Sequence, residues 1–364
     1  MDYIAHVRRL DDGGWDEPQP LEAHLRGTAE LAAGFAGAFD SAGWAYALAM
    51  AHDCGKGRGE WQEYIRDKSG FGYDMEAGSE TIPGKLEHSG QGARLAEEVF
   101  GKGAGRFFAY CIAGHHAGLP DWTGDQSSLD FRLRKAVTED IAQEWRDGLS
   151  GLCPGAPPWK MRLEGLDVSL WVRMLFSCLI DADRLDTERY MSPEKNRARE
   201  GYLSLAELHT RFNVYMENKT RKAIGTAEDR VYRARQRVLS DCRTAAEAEP
   251  GFFSLTVPTG GGKTLSSMAF ALRHAEKYGK SRIIYAIPYT SIIEQNADVF
   301  REIFGADEII EHHSNLDEDD LQERSRLATE NWDAPVIVTT NVQFFESLFA
   351  AKTGRCRKLH NIAN

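Results

Sequence analysis

The chain has 364 residues, of which 42% are hydrophobic and 27% charged, and a net charge of -11. That length exceeds one ordinary core and suits two domains, and the composition is that of a folded globular protein rather than a disordered one. The acidic balance excludes a generally basic nucleic-acid coat, so any phosphate contact has to use local patches or bound metal. No apolar run of about 18 residues marks a membrane span, and the opening MDYIAHVRRLDDGG lacks the apolar core of a signal peptide. Cys54, Cys111, Cys153, Cys178, Cys242 and Cys356 show no CxxC spacing. They read as reduced thiols of a cytoplasmic protein.

Up to about residue 220, apolar residues recur at helical spacing. Leu21, Leu25, Thr28, Leu31 and Phe35 form one stripe, and Leu166, Leu170, Met174 and Leu175 belong to another. The pattern predicts helices over 18–39, 43–53, 86–101, 105–117, 129–148 and 166–187, with Gly- and Pro-rich breaks at 69–84 and 150–158. Residues 1–215 are therefore expected to form an all-α domain. Residues 216–249, including KTRK (219–222) and RVYRARQR (230–237), read as a charged helical connector. From 250 to 364 the period changes. FFSLTVPT (252–259), RIIYAIPY (282–289) and PVIVTTN (335–341) are short β-branched runs, each followed by a helical pattern at 263–278, 291–304 and 342–352. Strands buried on both faces and alternating with helices predict a parallel α/β sheet. The acidic LDEDDLQE (316–323) reads as a solvated loop and helix start.

Five of the eleven histidines fall between residues 24 and 116. In ALAMAHDCGKGRGEWQEYI (47–65) a small apolar helix delivers His52 beside Asp53, and Gly55 ends it. Such a pair supplies one nitrogen ligand and one carboxylate able to bridge two ions, and two ions about 3.5–4 Å apart can activate water and clamp a phosphate. Mixed imidazole and carboxylate ligation suits Mn, Fe, Co, Ni or Zn better than an all-oxygen site would. Lys56 could meet a non-bridging phosphate oxygen as a point charge. His24, His88 and His115-His116 extend the set. LFSCLIDADRLDTERY (175–190) crowds Asp181, Asp183 and Asp186 onto an otherwise apolar helix, where unpaired carboxylates are expensive. A lone histidine is usually a surface or satisfied core residue, and His6, His209, His274 and His360 take that reading. His312-His313, beside Ser314, have no obvious ligand partners.

The order and local sequence of this set resemble the HD nuclease domain of the CRISPR-associated helicase-nuclease of type I systems. HDCGKGRGEWQEYI, ending in Trp61-Gln62, is similar to that family's first signature, EHSGQGA (87–93) to its third histidine segment, and IAGHHAGLPDW (112–122) to its paired histidines. The resemblance implies His24, His52, Asp53, His88, His115, His116 and Asp183 as metal ligands, with Asp53 bridging. It also implies a catalytic unit of His52, Asp53 and Lys56. In that family the last aspartate follows an alanine, which favours Asp183 after Ala182. The family has Trp where this chain has Arg184, which leaves Asp181 open.

A second constellation is SLTVPTGGGKTLSSMAFALRHA (254–275): a predicted strand, a Gly-rich turn, then a helix. Backbone N–H groups of Thr259, Gly260, Gly261 and Gly262 can cradle phosphates, Lys263 would reach the β and γ phosphates, and Thr264 would hold Mg²⁺. Pro258-Thr259 before it resembles superfamily 2 helicases. AIPYTSIIEQNADVFREIFG (286–305) and VIVTTNVQFFESLFA (336–350) resemble the motifs in which such enzymes touch nucleic-acid phosphates, with Thr339, Thr340 and Gln343 at the second strand-to-helix turn. These features identify 250–364 as the first part of a RecA-like helicase domain. No acidic Walker B strand follows Thr264 before RKLHNIAN (357–364). The chain is thus expected to be a fragment that binds ATP weakly and neither hydrolyses it nor translocates.

The resemblance implies a metal-dependent nuclease for single-stranded DNA, with two divalent transition-metal ions (Mn, Fe, Co or Ni, with Mg also eligible). ATP and Mg would be used at the phosphate loop of a full-length protein. It implies an RNA-guided surveillance complex as partner, delivering the displaced strand of an R-loop, since nothing in the site reads bases. The basic stretch 219–237 reads first as a solvated connector helix and second as a DNA-backbone contact. The rival readings are an HD phosphohydrolase for nucleotides, which would share the metal set, and a non-catalytic fragment that docks other CRISPR proteins or an anti-CRISPR inhibitor.

Overall fold

The computed structural model describes residues 3–71, 86–158, 165–223, 229–313 and 322–363. Most of the expected break at 69–84, most of the acidic stretch at 316–323, and residues 224–228 of the basic stretch lie outside the described residues. No helix among the described residues is long and apolar enough to cross a membrane. The chain forms two compact units, Met1–Arg197 with Ser347–Ala363, and Ala198–Glu346.

In the first unit β1 (Ile4–His6) pairs antiparallel with β2 (Gln19–Pro20). There follow α1 (Leu21–Ala36), α2 (Ala42–His52), α3 (Gly59–Ser69), α4 (Ser89–Phe100), α5 (Arg106–Gly114), α6 (Leu129–Lys135), α7 (Gln143–Ser150), α8 (Gly165–Met191) and α9 (Pro193–Ala198). The unit is helical but not all-α: the β1–β2 ribbon, too short to give a period, went unseen in the sequence, as did α3. Leu21, Leu25, Ala29, Ala32 and Ala36 recur every three or four residues on α1 and are buried, with Leu48, Leu95, Phe108, Ile112 and Phe176 filling the rest of the core. Burying each large apolar side chain contributes about 1.5–3 kcal/mol.

The single helix expected over 129–148 is two helices. Between them Asp140 accepts from Arg58 Nε (2.6 Å), the Thr138 carbonyl accepts from Arg146 (2.9 Å), and the Thr138 hydroxyl bonds Glu98. These tertiary partners outcompete the helical ladder at a Val137-Thr138 pair that favours helix weakly.

Small residues let the end of α2 touch the start of α4. A Cβ on Gly92 would stand 2.6 Å from the His52 carbonyl oxygen, and one on Gly55 2.1 Å from that of His88. Gly92→Ala should therefore destabilise the unit by about 1–3 kcal/mol through overpacking, read as a lowered unfolding midpoint. An unchanged midpoint would show that this contact gives way freely.

In the second unit α10 (Leu205–Ala223) and α11 (Asp229–Ala245) precede α12 (Lys263–Lys277), β3 (Ile283–Ile287), α13 (Thr290–Phe304), β4 (Ile309–His312), α14 (Glu323–Asn331), β5 (Val336–Thr340) and α15 (Asn341–Leu348). The sheet is parallel in the order β3-β5-β4, with Ile284 opposite Ile337 and Ile310 also opposite Ile337. Leu205, Leu208 and Phe212 pack with Met268, Leu272, Ile293, Phe300 and Val338 in one core. The two compact units divide between Arg197 and Ala198. β4 was not foreseen. The strand expected over 252–259 is not formed: this run has no ladder partner among the described residues, and Phe252, Phe253 and Leu255 are exposed. After β5 the chain returns to the first unit, where α16 (Thr353–Cys356) packs on α8.

Candidate metal centre

Five local structures of the first unit aim side chains at one point. α2 ends at His52, and Asp53 follows in a non-helical conformation before the turn Cys54–Gly57. His24 comes from α1, His88 immediately precedes α4, and His115 and His116 follow α5. Asp183 comes from α8. Two groups of potential ligand atoms result, each within a 4.8 Å span: Asp53, His88, His115 and His116, and His24, His52, Asp53 and Asp183. Asp53 is common to both. Its Oδ1 lies 3.2 Å from His88 Nε2 and 3.3 Å from His115 Nε2, and its Oδ2 lies 3.5 Å from the Nε2 atoms of both His24 and His52. Asp183 Oδ1 stands 3.4 Å from His24 Nε2 and 3.7 Å from His52 Nε2.

The donor set fits divalent ions. The far nitrogens of three rings are spent: His52 Nδ1 donates to the Ala49 carbonyl (2.6 Å), His115 Nδ1 to the Ile112 carbonyl (2.6 Å), and His24 Nδ1 to Asp186 Oδ2 (2.8 Å). Each bond fixes the tautomer that leaves a lone pair on Nε2, as in second-sphere support of metal-bound histidines. His24 Nε2, His52 Nε2, His115 Nε2 and Asp53 Oδ1 are buried without a hydrogen-bond partner. An unmet buried polar atom costs about 1–3 kcal/mol, a cost that ligation would remove. His116 Nε2 faces His88 Nε2 at 2.8 Å, a contact that one shared proton or one shared cation can satisfy. His24, His52, Asp53, His88 and His115 are buried, Asp183 is partly buried and His116 is exposed, so the cluster opens to solvent on the sides of these last two.

The electrostatics follow from imidazoles crowded around buried carboxylates. Burial opposes ionisation of Asp53, but the Lys56 ammonium and the neighbouring His52, His88 and His115 rings hold its carboxyl well below the usual range. Burial also opposes ionisation of Asp183, and His24 and His52 outweigh it. Burial lowers the His24 pKa, yet Asp183, Asp186 and Asp53 together raise it to about 10. Burial and the neighbouring His115 push His116 down to about 2. Metal ions compete for these nitrogens by displacing protons.

Lys56 is buried, with Nζ 2.7 Å from Asp53 Oδ2 and 5.3 Å from the centre of the Trp61 ring. Gln62 ties that turn to β1: its amide nitrogen donates to the Lys56 carbonyl (2.9 Å) and the Ile4 carbonyl (3.0 Å), and its oxygen accepts from Ile4 N–H (2.9 Å).

The crowded aspartates of α8 separate. Asp183 faces the cluster. Asp181 faces away, its Oδ1 accepting from Arg357 Nε at 2.6 Å and its Oδ2 lying 3.5 Å from His360 Nε2. Asp186 supports His24. Of the histidines read as ordinary, His209 pairs with Glu276 (2.9 Å), and His274 bonds the Ala246 carbonyl (3.0 Å). His312 accepts from Trp332 (2.8 Å) and His313 bonds Glu311 (2.8 Å), away from any candidate metal group among the described residues. His6 is different: its ring sits 4.7 Å from that of His24. Sequence reading missed its place beside the cluster, and also that of Gln19, because their partners are remote in the chain.

In the second unit Gly260 and Gly262 take positive φ (81° and 87°), and Gly262 caps α12 just before Lys263. Thr259 and Lys263 are exposed, Gly261 N–H bonds the Pro258 carbonyl (3.0 Å), and Arg235 Nε donates to the Gly260 carbonyl (2.9 Å). The Thr264 hydroxyl donates to Asn296 (3.1 Å). A turn in this conformation at a helix N-terminus can receive phosphate. At the β5–α15 turn the buried Thr339 hydroxyl is taken by the His312 carbonyl (2.7 Å), and Thr340 accepts from Gln343 N–H (2.9 Å).

Residues 236–363 match the family described as DEAD/DEAH box helicase. A curated relative, the CRISPR-associated nuclease/helicase Cas3 of Haloferax volcanii, is 34% identical over 135 residues, covering 30% of this chain and 14% of that protein. The crystal structure of T. fusca Cas3-ATP aligns with 100% of this chain and 45% of its own at a TM-score of 0.59 and 16% identity. That of T. fusca Cas3 aligns with 99% and 45% at a TM-score of 0.58 and 17% identity. At such identities the structures show a shared fold. The chain spans less than half the length of each of these relatives.

Proposed function

We propose that the first unit is a metal-dependent nuclease acting on single-stranded DNA, a reading supported by the 135-residue similarity to a Cas3 nuclease/helicase and by the fold shared with Cas3 structures. The observation that carries this reading is the sharing of Asp53 between two sets of ligand atoms, in which the Nε2 atoms of His24, His52 and His115 are buried without a hydrogen-bond partner. His24, His52, Asp53 and Asp183 would hold one ion, and Asp53, His88, His115 and His116 the other. Mn, Fe, Co or Ni suits this nitrogen-rich set, and Mg suits it less. When bound, the pair supplies an activated water and offsets charge on the phosphate.

The chain's own residues do the rest. Asp186 and the carbonyls of Ala49 and Ile112 lock three imidazoles in orientation. Lys56 keeps a cation beside Asp53, where it can meet a phosphate oxygen as a point charge. The exposed His116 marks the side from which a strand can approach. The phosphate loop from Thr259 to Thr264 would bind ATP with Mg²⁺ as part of a DNA helicase motor. In this reading the strand is the displaced strand of an R-loop delivered by an RNA-guided surveillance complex.

The helicase-family match over 236–363 favours a polynucleotide over the free nucleotides that an HD phosphohydrolase would take. With Mn²⁺ or Ni²⁺ present, the protein should cut a single-stranded oligonucleotide and leave deoxynucleoside triphosphates intact. Turnover of the triphosphates with no cut DNA would refute the nuclease assignment.

A further inference from the structure

Behind the metal ligands runs a closed chain of polar contacts that the proposed reaction does not itself require. Lys56 Nζ lies 3.3 Å from His6 Nε2. His6 Nδ1 lies 2.8 Å from Gln19 Oε1, Gln19 Nε2 lies 2.8 Å from Asp186 Oδ2, and that same oxygen binds His24 Nδ1 at 2.8 Å. His24 and Lys56 both face Asp53 Oδ2, at 3.5 and 2.7 Å, which closes the ring.

Every donor in this ring is dictated by its neighbour. A carboxylate only accepts, so Asp186 requires the amide nitrogen of Gln19 and the Nδ1–H of His24. Gln19 must then turn its oxygen to His6, which makes His6 Nδ1 the donor. An ammonium only donates, so His6 Nε2 must offer Lys56 a lone pair. One tautomer of His6 therefore satisfies both ends, and leucine in its place would satisfy neither.

We propose that His6 is a positioning residue of the metal centre: through Gln19 and Asp186 it orients His24, and through its Nε2 it holds Lys56 against Asp53. The β1–β2 ribbon is thereby part of the site rather than a cover over it. The ribbon does not depend on His6 for its place, because Gln62 bonds both backbone groups of Ile4, and Leu21 N–H bonds the Tyr3 carbonyl (2.7 Å). This inference rests on the metal-site reading above.

The test compares the full chain with His6→Leu and His6→Gln, each depleted of metal, titrated with Mn²⁺ by calorimetry and melted. Cleavage of a single-stranded oligonucleotide at saturating Mn²⁺ follows. Outer-sphere partners typically govern metal affinity by about 10–100-fold, and His6→Leu should weaken Mn²⁺ binding by that factor while melting with the parent. His6→Gln, whose amide offers one donor and one acceptor, should recover most of the loss. Unchanged Mn²⁺ affinity in His6→Leu would overturn the proposal. So would a loss that His6→Gln fails to repair, which would mark a packing role. If the parent binds Mn²⁺ but leaves DNA uncut, the nuclease reading fails while the affinity comparison still decides the role of His6.

Discussion

Asp53→Asn should abolish paired-ion binding and slow phosphodiester cleavage by about 10³-fold or more. The amide keeps the shape of the carboxylate but loses the charge that faces His24, His52, His88, His115 and Lys56. Both ligand groups contain Asp53, so this single change weakens both ions where removal of any other ligand weakens one. Metal-assisted charge stabilisation contributes several kcal/mol to such reactions. At about 1.4 kcal/mol for each tenfold in rate, losing about 4 kcal/mol gives the stated factor. Cleavage rates at saturating Mn²⁺, with ion counts on the same preparation, measure it. A variant that keeps both ions and cuts within tenfold of the parent would show that Asp53 does not bridge.

Asp181→Ala should leave the ion count unchanged and lower the stability of the first unit by about 3–5 kcal/mol. Asp181 is fully buried and pairs with the buried Arg357, so its removal strands a charge in the interior. In a unit of this size the unfolding midpoint should fall by roughly 10 °C. Residues two apart on a helix do not share a face, so the neighbouring Asp183 stays where it is. Asp181→Leu combined with Arg357→Met should recover much of the loss, because well-packed apolar residues often replace a buried ion pair without penalty. Loss of bound metal in Asp181→Ala, without a fall in the midpoint, would instead make Asp181 a ligand.

The difference between these two aspartates illustrates what could be read in advance. Histidine beside aspartate on an apolar helix, further histidines on other helices and a late carboxylate are costly choices that pointed to a metal site, and the family resemblance supplied the candidate ligands. The resemblance favoured Asp183 and left Asp181 open, because only the packing of α8 decides which face meets the cluster and which meets Arg357. His6 read as ordinary because its meaning lies in Lys56 and Gln19, 50 and 13 residues away in the chain.

The same distinction runs through the fold. β3 and β5 were legible as β-branched runs, since local preference and the final ladder agree. FFSLTVPT carries an equal preference, but a strand exists only with a partner, and that partner is not a local property. The break between α6 and α7 arises with Arg58 and Glu98, which reach Asp140 and Thr138 from remote parts of the chain.

Electron paramagnetic resonance of metal-depleted protein titrated with Mn²⁺ tests most directly whether two ions share Asp53. A pair of ions per chain is expected at saturation, with an exchange-coupled signal that vanishes in Asp53→Asn. A single ion per chain, or uncoupled ions indifferent to Asp53, would contradict it.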